Sequence, residues 1–179
     1  MKNKTIVGTI LTVFILSAFI IAQEQTEQKT ELPERTPEWK LARAVWHMDL
    51  YVCTGIAYAK SLGKTAEDYG KFVAEKFAPS WKGAKGQGVA PIIRIWSGHW
   101  QLYKNGKFEI IGESETSVTV KINRPYSAYF KDGVLYGVTM NEYETFLEQI
   151  GLAIANYLGL KYEQKVEGDN LITTISKQK

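Results

Sequence analysis

TMNEYETFLEQIGLAIANYLGLKYEQKVEGDNLITTIS, Thr139 to Ser176, changes its hydrophobic period midway, and that change decides the fold. Up to Tyr157, the apolar residues Tyr143, Phe146, Leu147, Ile150, Ile154 and Tyr157 fall at helical spacing, and Thr139 with Glu142 has the spacing of a capping box. Gly159 stands where a helix end wants a left-handed residue. Beyond it Leu160, Tyr162, Gln164 and Val166 alternate with Lys161, Glu163, Lys165 and Glu167, the pattern of a strand with one wet face. Gly168-Asp169-Asn170 turns that strand back into a last one, Leu171 to Ser176.

Working toward the N-terminus, Phe108–Ile111 and Thr116–Asn123 read as an antiparallel strand pair, with Val118, Val120 and Ile122 on one face. Arg124-Pro125 ends the second strand, and a turn is expected at Lys131-Asp132-Gly133. Residues 91–103 read as a helix carrying Ile92, Trp96, His99, Trp100 and Tyr103 on one side, although the β-branched start IIRI leaves a strand as the alternative. SWKGAKGQG before it lacks the spacing of a phosphate-binding loop and reads as a connection. Thr65 and Asp68 cap a helix running to Phe77, expected to bury Tyr69, Phe72, Val73 and Phe77. Residues 38–62 form a long amphipathic helix with its stripe at Leu41, Val45, Met48, Val52, Ile56 and Ala59. The expected architecture is α+β. N-terminal helices precede a four-stranded antiparallel sheet with a long helix between its two strand pairs, and the helices pack on one face.

Residues 1–22 place Lys2 and Lys4 before an apolar run from Ile6 to Ala22, the layout of a secretory signal. Cleavage after Ala22 would export the protein to the periplasm or medium; an uncleaved run would anchor it by residues 6–22. Residues 23–37 are polar and read as a flexible leader, which leaves 38–179 as a single domain. Without residues 1–22 the chain carries 20 basic and 19 acidic side chains, so no concentrated basic face for nucleic acid is expected. Membrane contact is expected only through an uncleaved N-terminus, and the sequence leaves the oligomeric state open. A single cysteine permits no intrachain disulfide, so the fold stands on packing.

VWHMDLYVC, Val45 to Cys53, holds that cysteine with a histidine and an aspartate. On a helix, His47 lies about 120° from Cys53 and about 160° from Asp49, so no local dyad forms. Asp49 is Cys53's neighbour and raises its thiol pKa, the reverse of activation. Asp49 sits closer to the apolar stripe than a solvated charge should, and is either a structural partner or a polar anchor in a pocket. His99 projects from an aromatic face, as a core histidine or as a ligand contact or base. The spacing of the histidines and the cysteine matches no metal site, and no cofactor is expected. No Gly-x-Ser-x-Gly elbow occurs.

The segment from VTVKINRPYS through NEYETFLEQIGLAIANYLGLKYEQKVEGDNLITTI resembles the C-terminal half of the 4-vinyl reductase-like small-molecule-binding domains, over residues 115–176. Arg124-Pro125-Tyr126, Leu158-Gly159 and Gly168-Asp169 carry the likeness. It implies a pocket for a hydrophobic small molecule between sheet and helices. The cysteines that family often carries near the Pro-aromatic step and in the closing hairpin are missing, so no metal or redox role is implied.

The leading expectation is therefore an exported, non-enzymatic domain that binds a hydrophobic or aromatic small molecule. Its candidate ligand contacts are His99, Asp49, Cys53, Trp96, Trp100, Arg94, Tyr126 and Arg124, the arginines meeting an acidic group on the ligand. One alternative is a hydrolase or lyase that brings His99 to Asp49 or Cys53. The other is a protein-interaction module that uses residues 171–176 as an exposed edge strand.

Overall fold

Among the described residues the first helix, α1 (Pro37–Ser61), begins at a proline whose missing N–H would be unpaired there in any case. The computed structural model describes residues 33–178; the expected targeting segment and the leader up to residue 32 lie outside them. Among the described residues no helix is long and apolar enough to cross a membrane. Gly63 closes α1 at φ +72°, with Lys64 N–H donating to Ala59 O and Gly63 N–H to Lys60 O, which together satisfy two of the helix's last carbonyls. The buried seam of α1 is Val45, Asp49, Cys53, Ile56 and Ala59, while Leu41 is exposed and Met48 and Val52 are half-buried. The seam is therefore rotated from the expected stripe and passes through the aspartate.

Thr65 and Asp68 form the capping box of α2 (Ala66–Phe77), with Asp68 N–H donating to Thr65 Oγ1 at 3.0 Å and Thr65 N–H to Asp68 Oδ2 at 2.9 Å. Its inward face differs from the expected one. Ala66, Gly70 and Ala74 are buried, whereas Phe72 and Phe77 are exposed. Small residues win because they let α2 approach the long helix closely: a Cβ on Gly70 would lie 2.8 Å from Gln149 Cβ and 3.2 Å from Phe146 Cα. A 3-10 turn, Ala78–Ala84, leads to α3 (Ala90–Trp100), so IIRI is helical.

β1 (Phe108–Glu113) and β2 (Ser117–Asn123) pair antiparallel, with a register shift between Ile110 and Gly112. The chain then makes a 3-10 turn, Pro125–Phe130, and a two-residue ribbon of β3 (Val134–Leu135) and β4 (Val138–Thr139) that sequence periodicity does not reveal. α4 (Met140–Tyr157) starts with the Thr139–Glu142 capping box and ends at Gly159, φ +74°. β5 (Leu160–Glu167) and β6 (Asn170–Lys177) form the closing hairpin.

The sheet order is β1-β2-β6-β5, antiparallel throughout. β6 pairs with β2 on one side and β5 on the other, so residues 171–176 are interior, not the exposed edge. The reason is physical: Leu171, Ile172, Thr173 and Ile175 are all buried, as a central strand requires, and the backbone groups that an edge would offer a partner are already paired. The interaction module built on that edge is thereby withdrawn. The core face of the sheet carries Val118, Val120, Ile122, Leu171, Thr173, Ile175, Leu160 and Tyr162, with helices over it. The opposite face is mainly polar around the buried Ile172, with Thr119 and Thr174 hydroxyls 3.0 Å apart across strands.

Candidate functional site

The layer between sheet and helices is not filled. A cavity of about 310 Å³ lies there, with walls from α1, α2, α3 and α4 and from β2, β5 and β6. Most of the lining is apolar or aromatic, including Met48 and Val52 of α1, Trp96 and Trp100 of α3, and Phe146, Leu147 and Ile150 of α4. Four polar side chains, Asp49, His99, Gln164 and Thr173, interrupt this lining. The size is at the lower end of small-molecule sites, room for about ten waters. Half-exposed Phe77 and Ile95 belong both to the cavity wall and to a shallow surface cleft that continues over Gln87 and Arg94.

Asp49 is 1 % exposed. Its Oδ1 accepts hydrogen bonds from Tyr143 Oη at 2.6 Å and Tyr103 Oη at 2.8 Å, while Oδ2, equally buried, has no hydrogen-bond partner among the described residues. Burial raises the Asp49 pKa, opposed by the two phenolic donors, and the net shift is upward. Burial, together with the neighbouring carboxylate, likewise pushes both phenols up, so each remains an O–H donor. Leaving a buried acceptor unmet costs on the order of 1–3 kcal/mol, more if it is charged. Something that donates to Oδ2 is what this arrangement lacks.

His99 lines the same cavity, half-buried, with its ring edge-on to Trp100 at 5.8 Å. Burial lowers its pKa, so the imidazole is neutral at pH 7 and has one acceptor and one donor nitrogen. The structure thus brings Asp49, His99, Trp96 and Trp100 together on one cavity, although they come from segments some 50 residues apart.

The other four candidates do not reach it. Cys53 is completely buried beside Asp49 in the core cluster; burial first, then the Asp49 charge, pushes its thiol up to about 12, so it is neither nucleophile nor ligand contact. Arg94 is exposed on the outer cleft because α3 turns it away from the sheet. Arg124 is committed to Glu144, its Nε donating to Oε1 at 2.5 Å and its Nη2 to Oε2 at 2.8 Å. Tyr126, fully buried, donates its hydroxyl to Glu144 Oε1 at 2.8 Å. Arg124 and Tyr126 therefore serve a buried acid of α4, and neither faces a ligand. His47 lies beside Trp46 and Tyr51, lining a surface cleft that shares Met48, Val52, Val73 and Phe146 with the cavity wall.

Sequence reading missed three residues here: Glu144, and the tyrosines 103 and 143 that hold Asp49. One signal was present, since Tyr103 and Tyr143 both fall on buried faces, where a phenol needs a partner. No protein-family model, curated protein or solved structure matches this chain. Its function has to be read from this geometry.

Proposed function

We propose that the protein is an exported binding domain that takes a small, largely apolar molecule into the cavity between its sheet and its helices. The observation that carries this reading is the 310 Å³ cavity itself, aromatic and aliphatic on most sides, with the buried Asp49, whose Oδ2 has no donor among the described residues, in its lining. A domain core is normally packed to crystal-like density, and a half-open cavity of this size leaves much of its apolar lining without dispersion partners. A ligand restores those contacts. The resemblance of residues 115–176 to small-molecule-binding domains supports the same reading, and the basic, apolar N-terminus supports export.

Native mass spectrometry of the protein purified from its source tests binding. The expected spectrum holds a species heavier than the chain by the mass of a molecule of on the order of ten to fifteen non-hydrogen atoms, lost on denaturation. The bare chain alone, together with no binding of small aromatic hydrocarbons, would count against it. The mass of the N-terminal peptide of the same sample reports whether residues 1–22 have been removed.

A second reading, an enzyme, has one observation in its favour: a neutral imidazole and a carboxylate of raised pKa share the cavity. It would use His99 as general base, without Cys53, and predicts that a substrate found by mass spectrometry is converted by wild type but not by His99→Ala.

A further inference from the structure

Three features of the cavity bear on what it selects. The first is the split role of the Asp49 carboxylate: two phenols supply Oδ1, and Oδ2 is buried without a donor. Two neutral hydroxyls can stabilise a carboxylate but cannot neutralise it. Among the described residues no lysine or arginine lines the cavity, so any charge on Asp49 has no counter-charge from them on these walls. The second feature is the pair of indoles, Trp96 and Trp100, on the same walls; indole faces attract cations. The third is that, of the remaining polar groups, neutral His99 and Thr173 each offer a lone pair, while Gln164 Oε1 already accepts from Tyr162 Oη at 2.6 Å.

We propose that Asp49 is a specificity-determining residue and that the cavity's ligand is a small aryl- or alkylamine, its ammonium group on Asp49 Oδ2 and its apolar body against the aromatic walls. The inference rests on the binding function proposed above and names the ligand class for that site. An ammonium supplies both missing components, a donor and a positive charge, whereas an alcohol supplies only the donor and a hydrocarbon neither. An anionic ligand is disfavoured twice, by Asp49 and by the absence of basic lining.

The test compares three molecules of equal size, 2-phenylethylamine, 2-phenylethanol and propylbenzene, by isothermal titration of the full chain at pH 7.5. The expected order is amine over alcohol over hydrocarbon, with the amine ahead of the alcohol by about tenfold or more, the usual margin of a charge-assisted over a neutral hydrogen bond. In Asp49→Asn, which keeps an acceptor for the two tyrosines, the amine's advantage should vanish while propylbenzene binding is retained. The wild-type ratio alone decides the matter if that variant does not fold. Alcohol or hydrocarbon binding as tightly as the amine overturns the amine assignment and leaves the cavity function standing; no binding of any of the three overturns both. An amine advantage that persists undiminished in a folded Asp49→Asn overturns the assignment to Asp49.

Discussion

Removing the Arg124 guanidinium should destabilise the protein far more than an ordinary surface arginine would. Arg124 and Glu144 side chains are 13 % and 5 % exposed, their contact is bidentate, and Tyr126 Oη donates to the same carboxylate. In Arg124→Ala, Glu144 keeps only the Tyr126 hydroxyl, and stranding one member of a buried pair costs about 3–5 kcal/mol. At roughly 2–4 °C per kcal/mol for a chain of this size, Tm should fall by about 6–20 °C. Urea unfolding followed by tryptophan fluorescence and circular dichroism gives the number directly. Adding Glu144→Gln to Arg124→Ala should recover half or more of the loss, because the cost lies in the uncompensated charge and glutamine still accepts from Tyr126. A loss below about 1 kcal/mol, or a further drop in the double variant, would refute the clamp. Propylbenzene affinity should be unchanged in the double variant, since neither residue lines the cavity.

Gly70→Ala should destabilise by about 1–3 kcal/mol even though alanine is the better helix former by about 1 kcal/mol, since the new methyl meets Gln149 Cβ and the Phe146 backbone; thermal denaturation reads the sign. Asp49's raised pKa means the folded state holds a proton that the unfolded state releases. The stability it contributes therefore falls as pH rises from 3.8 to its folded pKa and is flat above that. Wild type minus Asp49→Asn should show that decline in urea titrations between pH 4 and 8; a difference that rises over this range contradicts the shift. Around Asp49 the groups Tyr103, Tyr143, Tyr129 and Cys53 stay protonated throughout, and His99 titrates in both proteins and cancels. Cys53, fully buried with its thiol pushed up to about 12, should not react with a disulfide reagent at pH 8 in the native protein, and should titrate as one thiol per chain in urea; rapid native labelling would show that the α1 seam opens.

The helices and hairpins were legible because their ends are written locally. Thr65 with Asp68, Thr139 with Glu142, and Gly63 and Gly159 at left-handed positions each report within a few residues. What was not legible depends on distant partners. Asp49 lies in the buried seam because Tyr103 and Tyr143, 54 and 94 residues away, hold its carboxylate, so a charge that marks a helix face as wet instead marks it as core. Gly70 turns the small-residue side of α2 inward because α4 arrives there, an approach no periodicity encodes. β6 reads as an edge because it is last in the chain, yet its pairing with β2 closes the gap between the two hairpins. Arg124 reads in the sequence as a ligand contact because its true partner, Glu144, sits one position from a stripe residue and reads as solvated.

The central claim, that the cavity between sheet and helices admits an apolar molecule, is tested most directly by methyl-labelled NMR during titration with propylbenzene. The account predicts saturable shifts at Val52, Leu147 and Ile150, which line or adjoin the cavity, with Ile110 on the exposed edge strand and Val166 on the outer hairpin unmoved. Shifts confined to Ile110 and Val166, or none at the solubility limit of the probe, would contradict it.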